Sequence, residues 1–230
     1  MFTLILLSGG AGTRMKYAVP KQYMLLAGKP VIMHILERLD SIQAISDIVV
    51  VCAPEYEGTI TEMVSQYGIR KPIRYAPAGR TRQESVLSGL SLVTSPDVII
   101  HEAARPFVKV EDFEEIIRCP DRNATFGLDI PFTVLRGQDH VEGVLTRSEL
   151  FNVQLPQKFE TSVLKEAHGK ALADGMAFTE DASLVFHYFP ETIIHICQGR
   201  DYNVKLTTRI DMLAGEIIYD EVFRRWNRAE

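Results

Sequence analysis

The sequence is poor in cysteine and never places two close together: Cys52, Cys119 and Cys197 are widely spaced and odd in number. That usage excludes a disulfide framework and any C-x-x-C zinc motif, and it is the habit of a reducing compartment. Long apolar runs are missing as well. The opening one stops at Leu7, far short of a membrane span, and it has neither the charged start nor the cleavage site of a secretory leader. Positive charge is not in excess either, since 25 Lys and Arg face 30 Asp and Glu for a net charge of -5. A protein that tracks a phosphate backbone is usually basic. These absences predict a cytoplasmic protein with no nucleic-acid or membrane partner. They leave room for a locally basic pocket that takes a small anion.

Repeats, low-complexity stretches and linkers are also missing, so residues 1–230 read as a single domain. What is present is alternation. Phe2–Leu7, Ile48–Cys52, Ile73–Tyr75 and Asp97–His101 are apolar, β-branched runs. Amphipathic stretches at Pro30–Leu39, Tyr56–Tyr67, Arg82–Leu92 and Val110–Arg118 separate them. Such runs between helices predict an α/β fold, a doubly wound and mostly parallel sheet covered on both faces. After a strand at Ala124–Ile130 the pattern breaks. Pro131–Asn152 is polar and interrupted by Gly137 and Gly143, which predicts a protruding β-arm at about 131–152. A hairpin that cannot bury itself looks for a partner, so the expected assembly is a homodimer joined through that arm. A helix over Lys158–Asp174, a strand at Ile193–Cys197 and a closing helix over Arg209–Arg225 complete the reading.

The first strand ends in Ser8-Gly9-Gly10-Ala11-Gly12-Thr13-Arg14, and Pro20-Lys21 follows. Ligands of open α/β sheets sit at the carboxyl ends of the strands, so this loop faces the expected site. Glycines there let backbone N–H groups close on an anion. Neither the dinucleotide fingerprint nor the P-loop fits the spacing, because the third glycine is misplaced and Lys21 comes too late. Arg14, a rigid fork of donors, and Lys21, a compact charge, suit a polyphosphate that the loop alone cannot neutralise.

With its companions this segment resembles a known family. LSGGAGTRMKYAVPKQY is similar to the signature of nucleotidyltransferases. GRTRQESVLSGL (Gly79–Leu90), HEAARPF (His101–Phe107), PQKF (Pro156–Phe159), FTEDAS (Phe178–Ser183) and GRDYNVKLT (Gly199–Thr207) resemble the cytidylyltransferase branch. That branch includes the 2-C-methyl-D-erythritol 4-phosphate and ribitol-5-phosphate enzymes. The resemblance runs nearly the whole chain in order, and it implies a Rossmann-like nucleotidyltransferase fold. It further implies transfer of CMP from CTP to a polyol phosphate, with release of pyrophosphate.

Carried over residue by residue, the resemblance implies that Ser8, Gly9, Gly10, Ala11, Gly12 and Thr13 wrap the triphosphate. Arg14, Lys21 and Lys205 would be catalytic, stabilising charge at the phosphorus under attack. Gly79, Arg82 and Ser85 would read cytosine, with Glu102 and Ala103 near the ribose. Glu102, Arg105, Thr133 and Arg147 would hold the acceptor, the last two donated from the arm across the dimer. His101 reads better as a strand-end histidine with a structural hydrogen bond. Phosphoryl-type transfer needs in-line positioning and charge neutralisation more than a covalent nucleophile, and no Ser-His or Cys-His pair stands out. The charge that gathers when a triphosphate meets a phosphate monoester calls for Mg2+, with Glu102 or Asp181 as its protein ligand.

The chain departs from the family pattern at three positions. Glu102 stands where Asp is usual, Leu155 where a threonine precedes Pro-Gln, and Tyr202 where an acidic residue precedes the asparagine. These changes keep two acceptors open: methylerythritol phosphate, for isoprenoid precursors, and ribitol or another sugar-alcohol phosphate, for wall or capsule. A nicotinamide-dependent oxidoreductase would carry an acid closing the second strand, where this chain has Cys52 and Ala53. A non-catalytic nucleotide binder would be expected to have lost Arg14 or Lys21.

Overall fold

The computed structural model describes residues 1–10 and 19–225. In chain order the elements are β1 (Phe2–Leu7), β2 (Leu25–Leu26), β3 (Lys29–Pro30), α1 (Val31–Ser41), β4 (Ile45–Cys52), α2 (Glu57–Gln66), β5 (Ile73–Pro77), α3 (Arg82–Leu90), β6 (Asp97–Glu102), α4 (Val110–Arg118) and β7 (Asn123–Asp129). The arm hairpin β8 (Val134–Gly137) and β9 (Val141–Leu145) follows, then β10 (Phe151–Glu160), α5 (Thr161–Ala173), α6 (Asp181–Tyr188), β11 (Ile194–Gln198) and α7 (Arg209–Tyr219).

Seven strands make one sheet in the order β11-β7-β10-β6-β1-β4-β5. Every neighbouring pair is parallel except those of β10, which runs antiparallel to both β6 and β7. The β-branched runs occupy the centre because both faces are covered. Leu4, Leu6, Ile48, Val50 and Ile99 pack under α1 and α2, while Ile5, Val49, Val51, Val98 and Ile100 pack under α3 and α5. Alternate residues of one strand thus serve opposite cores, as the two-residue pleat requires. The order reverses between β1 and β6, and the loops after these two strands open onto the same edge of the sheet. A crevice forms at such a switch point.

Two expectations are corrected. The helix expected from Lys158 begins at Thr161, because Gln157–Glu160 pair in register with Asp97–Ile100 and extend β10 instead. The arm ends sooner than Asn152, since Phe151 and Asn152 already pair with Asp129 and Leu128 of β7. Helix α6, which periodicity did not announce, starts where Glu180 accepts from the amides of Ala182 and Ser183 at 2.7 and 2.8 Å. None of the described helices is long and apolar enough to cross a membrane.

Candidate active site

A cleft of about 520 Å³ lies at the carboxyl edge of the sheet. It is lined by Ser8, Gly9 and Gly10 after β1, by Gly79 to Arg82 and Ser85 at the start of α3, and by Glu102 at the end of β6. Lys21, Gln22, Lys205 and Thr207 close it. Ala11, Gly12, Thr13 and Arg14 lie outside the described residues.

The first wall depends on glycine. A Cβ on Gly9 would stand 2.2 Å from Cβ of Ala78, so the β1 loop and the loop after β5 touch only because that atom is missing. Gln22 then ties the loop down. Its amide donates to the carbonyls of Ser8 and Gly10 at 2.6 and 3.2 Å, and it is 3 % exposed. Sequence reasoning passed over Gln22, whose only signal was an amide beside the Pro-Lys pair. The second wall is the turn into α3. Thr81 caps that helix by accepting from the Glu84 amide, and Ser85 Oγ accepts from the Gly79 amide at 3.0 Å while donating to the Thr81 carbonyl at 2.9 Å. A Cβ on Gly79 would strike Cβ of Glu84 at 2.3 Å. Ser85 is therefore a buried brace of the turn that also faces the cleft.

The floor is a charged knot around Glu102. Lys205 Nζ lies 2.8 Å from one carboxylate oxygen, with Arg82 and Arg105 at 3.5 and 3.6 Å. Burial alone would raise the Glu102 pKa, but Lys205, Arg105 and Arg82 together hold it below the ordinary carboxylate range, so it stays ionised. Arg82 reaches further, to Asp181 at 2.6 Å, and Asp181 lies 3.3 Å from His168. Asp181 too is held low by Arg82 against the push of burial. An ionised carboxylate on each side of one guanidinium fixes Arg82 across the cleft wall. A buried charge left without such partners would be expensive.

The other predicted positions fall in different places. Ala103 is fully buried and its amide donates to Leu7, so Ala104 lines the cleft instead. Arg105 stands behind Glu102 and donates to the Asn203 carbonyl at 2.9 Å, outside the lining. Asn203 in turn donates to the Leu155 carbonyl at 2.7 Å, which steadies the segment carrying Lys205. His101 is fully buried, its ring nitrogen 3.2 Å from the Arg105 carbonyl, and burial pushes its pKa down to about 3. It is a structural histidine. Asp181 sits beneath the lining, turned to Arg82 and His168 rather than to the cleft. Thr133 and Arg147 are on the arm and do not line the cleft of their own chain; Arg147 donates to the Pro131 carbonyl at 2.7 Å and so closes the hairpin's base.

Two departures that had unsettled the acceptor do not touch the cleft. Leu155 is 4 % exposed and packs in the apolar cluster with Val86 and Leu164. Tyr202 turns the other way, its hydroxyl donating to Asp112 at 2.9 Å with Lys109 over its ring.

The sequence profile of the 2-C-methyl-D-erythritol 4-phosphate cytidylyltransferases matches residues 2–221. The chain belongs to that family. It is 35% identical over 226 residues to 2-C-methyl-D-erythritol 4-phosphate cytidylyltransferase of Geobacillus thermodenitrificans, covering 94% of this chain and 96% of the relative. The chloroplastic enzyme of Oryza sativa is 32% identical over 225 residues, covering 95% of this chain and 74% of its own length. Among solved structures, 4-diphosphocytidyl-2C-methyl-D-erythritol synthase of Anaerococcus prevotii superposes with a TM-score of 0.84 at 25% identity, covering 94% of each chain. Family membership and fold thus agree with what the opening loop and its companion motifs imply.

Proposed function

We propose that this chain transfers CMP from CTP to 2-C-methyl-D-erythritol 4-phosphate, releasing pyrophosphate, as a cytoplasmic homodimer. The observation that carries the reading is the convergence of Lys21, Arg82 and Lys205 on one glycine-walled cleft at the switch point of the sheet, in a chain of this family. An oxygen of the acceptor phosphate attacks the α-phosphorus of CTP. A new P–O bond forms as the bond to the β-phosphate oxygen breaks, and the displaced electron pair leaves with pyrophosphate. The attacking oxygen is already ionised near neutral pH, so no general base is needed. The protein's task is alignment and charge. Lys21 and Lys205 neutralise the phosphates around the reacting phosphorus, together with Arg14 from the glycine loop. The turn of Gly79 to Ser85 presents backbone groups to cytosine. Arg105 acts by holding Glu102 and the Asn203 carbonyl in place. Thr133 and Arg147 serve the acceptor phosphate of the neighbouring subunit, and the exposed Phe132, Leu135, Val141 and Val144 of the arm give that subunit an apolar surface to cover.

Mg2+ is part of the proposal, held chiefly by phosphate oxygens and water. Glu102 is the one acidic side chain among the described lining residues, and Lys205, Arg82 and Arg105 already face its carboxylate, so it would supply at most one ligand. Glu102 rather than Asp181 would supply it, and the ion would neutralise triphosphate charge when bound. The test is product formation: the purified chain with CTP, Mg2+ and methylerythritol phosphate should release pyrophosphate in step with a CDP-polyol. A chain that binds CTP yet forms no CDP-polyol with this acceptor would overturn the reading.

A further inference from the structure

The scattered cysteines of the sequence do not stay scattered. His195 and Cys197 are two apart on β11 and therefore share one face of that edge strand. Cys119 ends α4, which packs over the same face, and it sits with Ile116 beside buried Cys197. One thiol sulfur from each cysteine and one ring nitrogen of His195 lie within 4.8 Å of one another. Among the described residues this is the one group of three or more His, Cys, Asp or Glu side chains so placed. It opens onto a shallow groove of about 330 Å³, on the far side of β7 and β10 from β1 and separate from the cleft residues.

We propose that Cys119, His195 and Cys197 form a binding site for a soft divalent cation of the Zn2+ class, clipping the edge strand β11 to the end of α4. Two thiols and an imidazole are the donor set that such an ion prefers over Mg2+ or Ca2+. With Zn–S near about 2.3 Å, tetrahedral ligands stand roughly 3.5–4 Å apart, so atoms within 4.8 Å of one another need to close by at most roughly 1.3 Å. The half-exposed His195 ring can supply that by turning about its own side-chain bonds. Two neighbours prepare the site. Asp121 lies 3.2 Å from His195 Nδ1, the carboxylate partner that commonly fixes the ring of a metal-bound histidine. Lys158, buried on β10, donates to the Cys119 carbonyl at 2.7 Å and holds the turn after α4 in place. Three protein ligands leave the fourth position to solvent at the groove. An edge strand paired on one side only gains most from such a clip, and binding to the folded state alone raises its stability.

The test uses the full chain, reduced and stripped of metal, without CTP. It is titrated with Zn2+ and, separately, with Co2+, whose thiolate absorption reports sulfur ligation. The expected result is one ion per chain, Co2+ absorption of thiolate origin, and a rise of several degrees in Tm with Zn2+. His195→Ala, an exposed change that spares the core, should weaken Zn2+ binding at least tenfold and remove the Tm rise. Cys119→Ser should weaken binding at least tenfold and diminish the Co2+ thiolate band, Asp121→Asn should weaken binding about tenfold, and Cys52→Ser, in the core away from the site, should leave metal binding unchanged. The proposal is overturned by a reduced chain that gives no thiolate band, or by His195→Ala and Cys119→Ser binding Zn2+ as the parent does. It is equally overturned if the two thiols only pair as a disulfide on oxidation and the reduced chain takes no metal.

Discussion

Lys205 stands 2.8 Å from a carboxylate that two arginines also face, so its ammonium is pre-placed rather than recruited when substrate arrives. A donor fixed in that way contributes most where charge develops, and removing one such donor commonly costs about a hundredfold in turnover. Lys205→Ala and Lys21→Ala are each expected to lower kcat by on the order of a hundredfold; Lys205→Ala should also lower Tm, because it takes the nearest cation from buried Glu102. Steady-state rates of pyrophosphate release decide it, and near-normal turnover in either variant would remove that lysine from the chemistry. Asp181 poses a different question, since it touches no cleft residue but Arg82. Asp181→Asn leaves the Arg82 guanidinium short of a charge partner in a nearly buried setting, so a loss of about 3 kcal/mol in stability is expected together with a higher KM for CTP. Urea titration and CTP saturation curves check both halves; unchanged stability would mean that Glu102 alone suffices to hold Arg82.

At the scale of elements, the proposed dimer gives the arm a purpose outside its own chain. Arg147 braces the hairpin's base, and the proposal gives its guanidinium to the neighbour's acceptor phosphate. Arg147→Ala should therefore raise the KM for methylerythritol phosphate more than the KM for CTP, and the opposite split would contradict the assignment. The elements also show what sequence can and cannot tell. Runs such as Ile48–Cys52 and Asp97–His101 announced themselves because a strand covered on both faces must be apolar throughout. The glycine loop was legible because only glycine permits the approach that Gly9 makes to Ala78. Lys158 misled because a charged residue in a helical-looking stretch gives no hint that its ammonium will be buried against the Cys119 carbonyl. The Arg82–Asp181 pair, the Gln22 tether and the Cys119–His195–Cys197 group were invisible for a shared reason: their members meet only after the sheet is assembled. Leu155 and Tyr202 looked like changes to the acceptor pocket because their motifs border it, yet their side chains point into the core and onto α4.

Across the whole molecule, burial of two neutral histidines sets the response to acid. Burial pushes His34 down to about 4 and His101 to about 3, while unfolded imidazoles take up a proton near 6.5. Below that pH the unfolded chain binds more protons than the folded one, so stability is full above pH 6.5 and is lost as pH falls toward 4. Each histidine accounts for on the order of 2 kcal/mol between pH 7.5 and 5. Urea midpoints should thus be lower at pH 5 than at pH 7.5, before the held-down carboxylates of Glu102 and Asp181 begin to protonate. Equal midpoints would mean that one or both rings accept a proton in the folded state. The central claim concerns what the cleft joins to CMP. It is met most directly by measuring kcat/KM for pyrophosphate release from CTP with methylerythritol phosphate and with ribitol phosphate, side by side. The account predicts a preference of at least about a hundredfold for methylerythritol phosphate, the size expected when a site built to pair a substrate's polar groups meets one that cannot fill it. Equal rates, or a preference for ribitol phosphate, would contradict it.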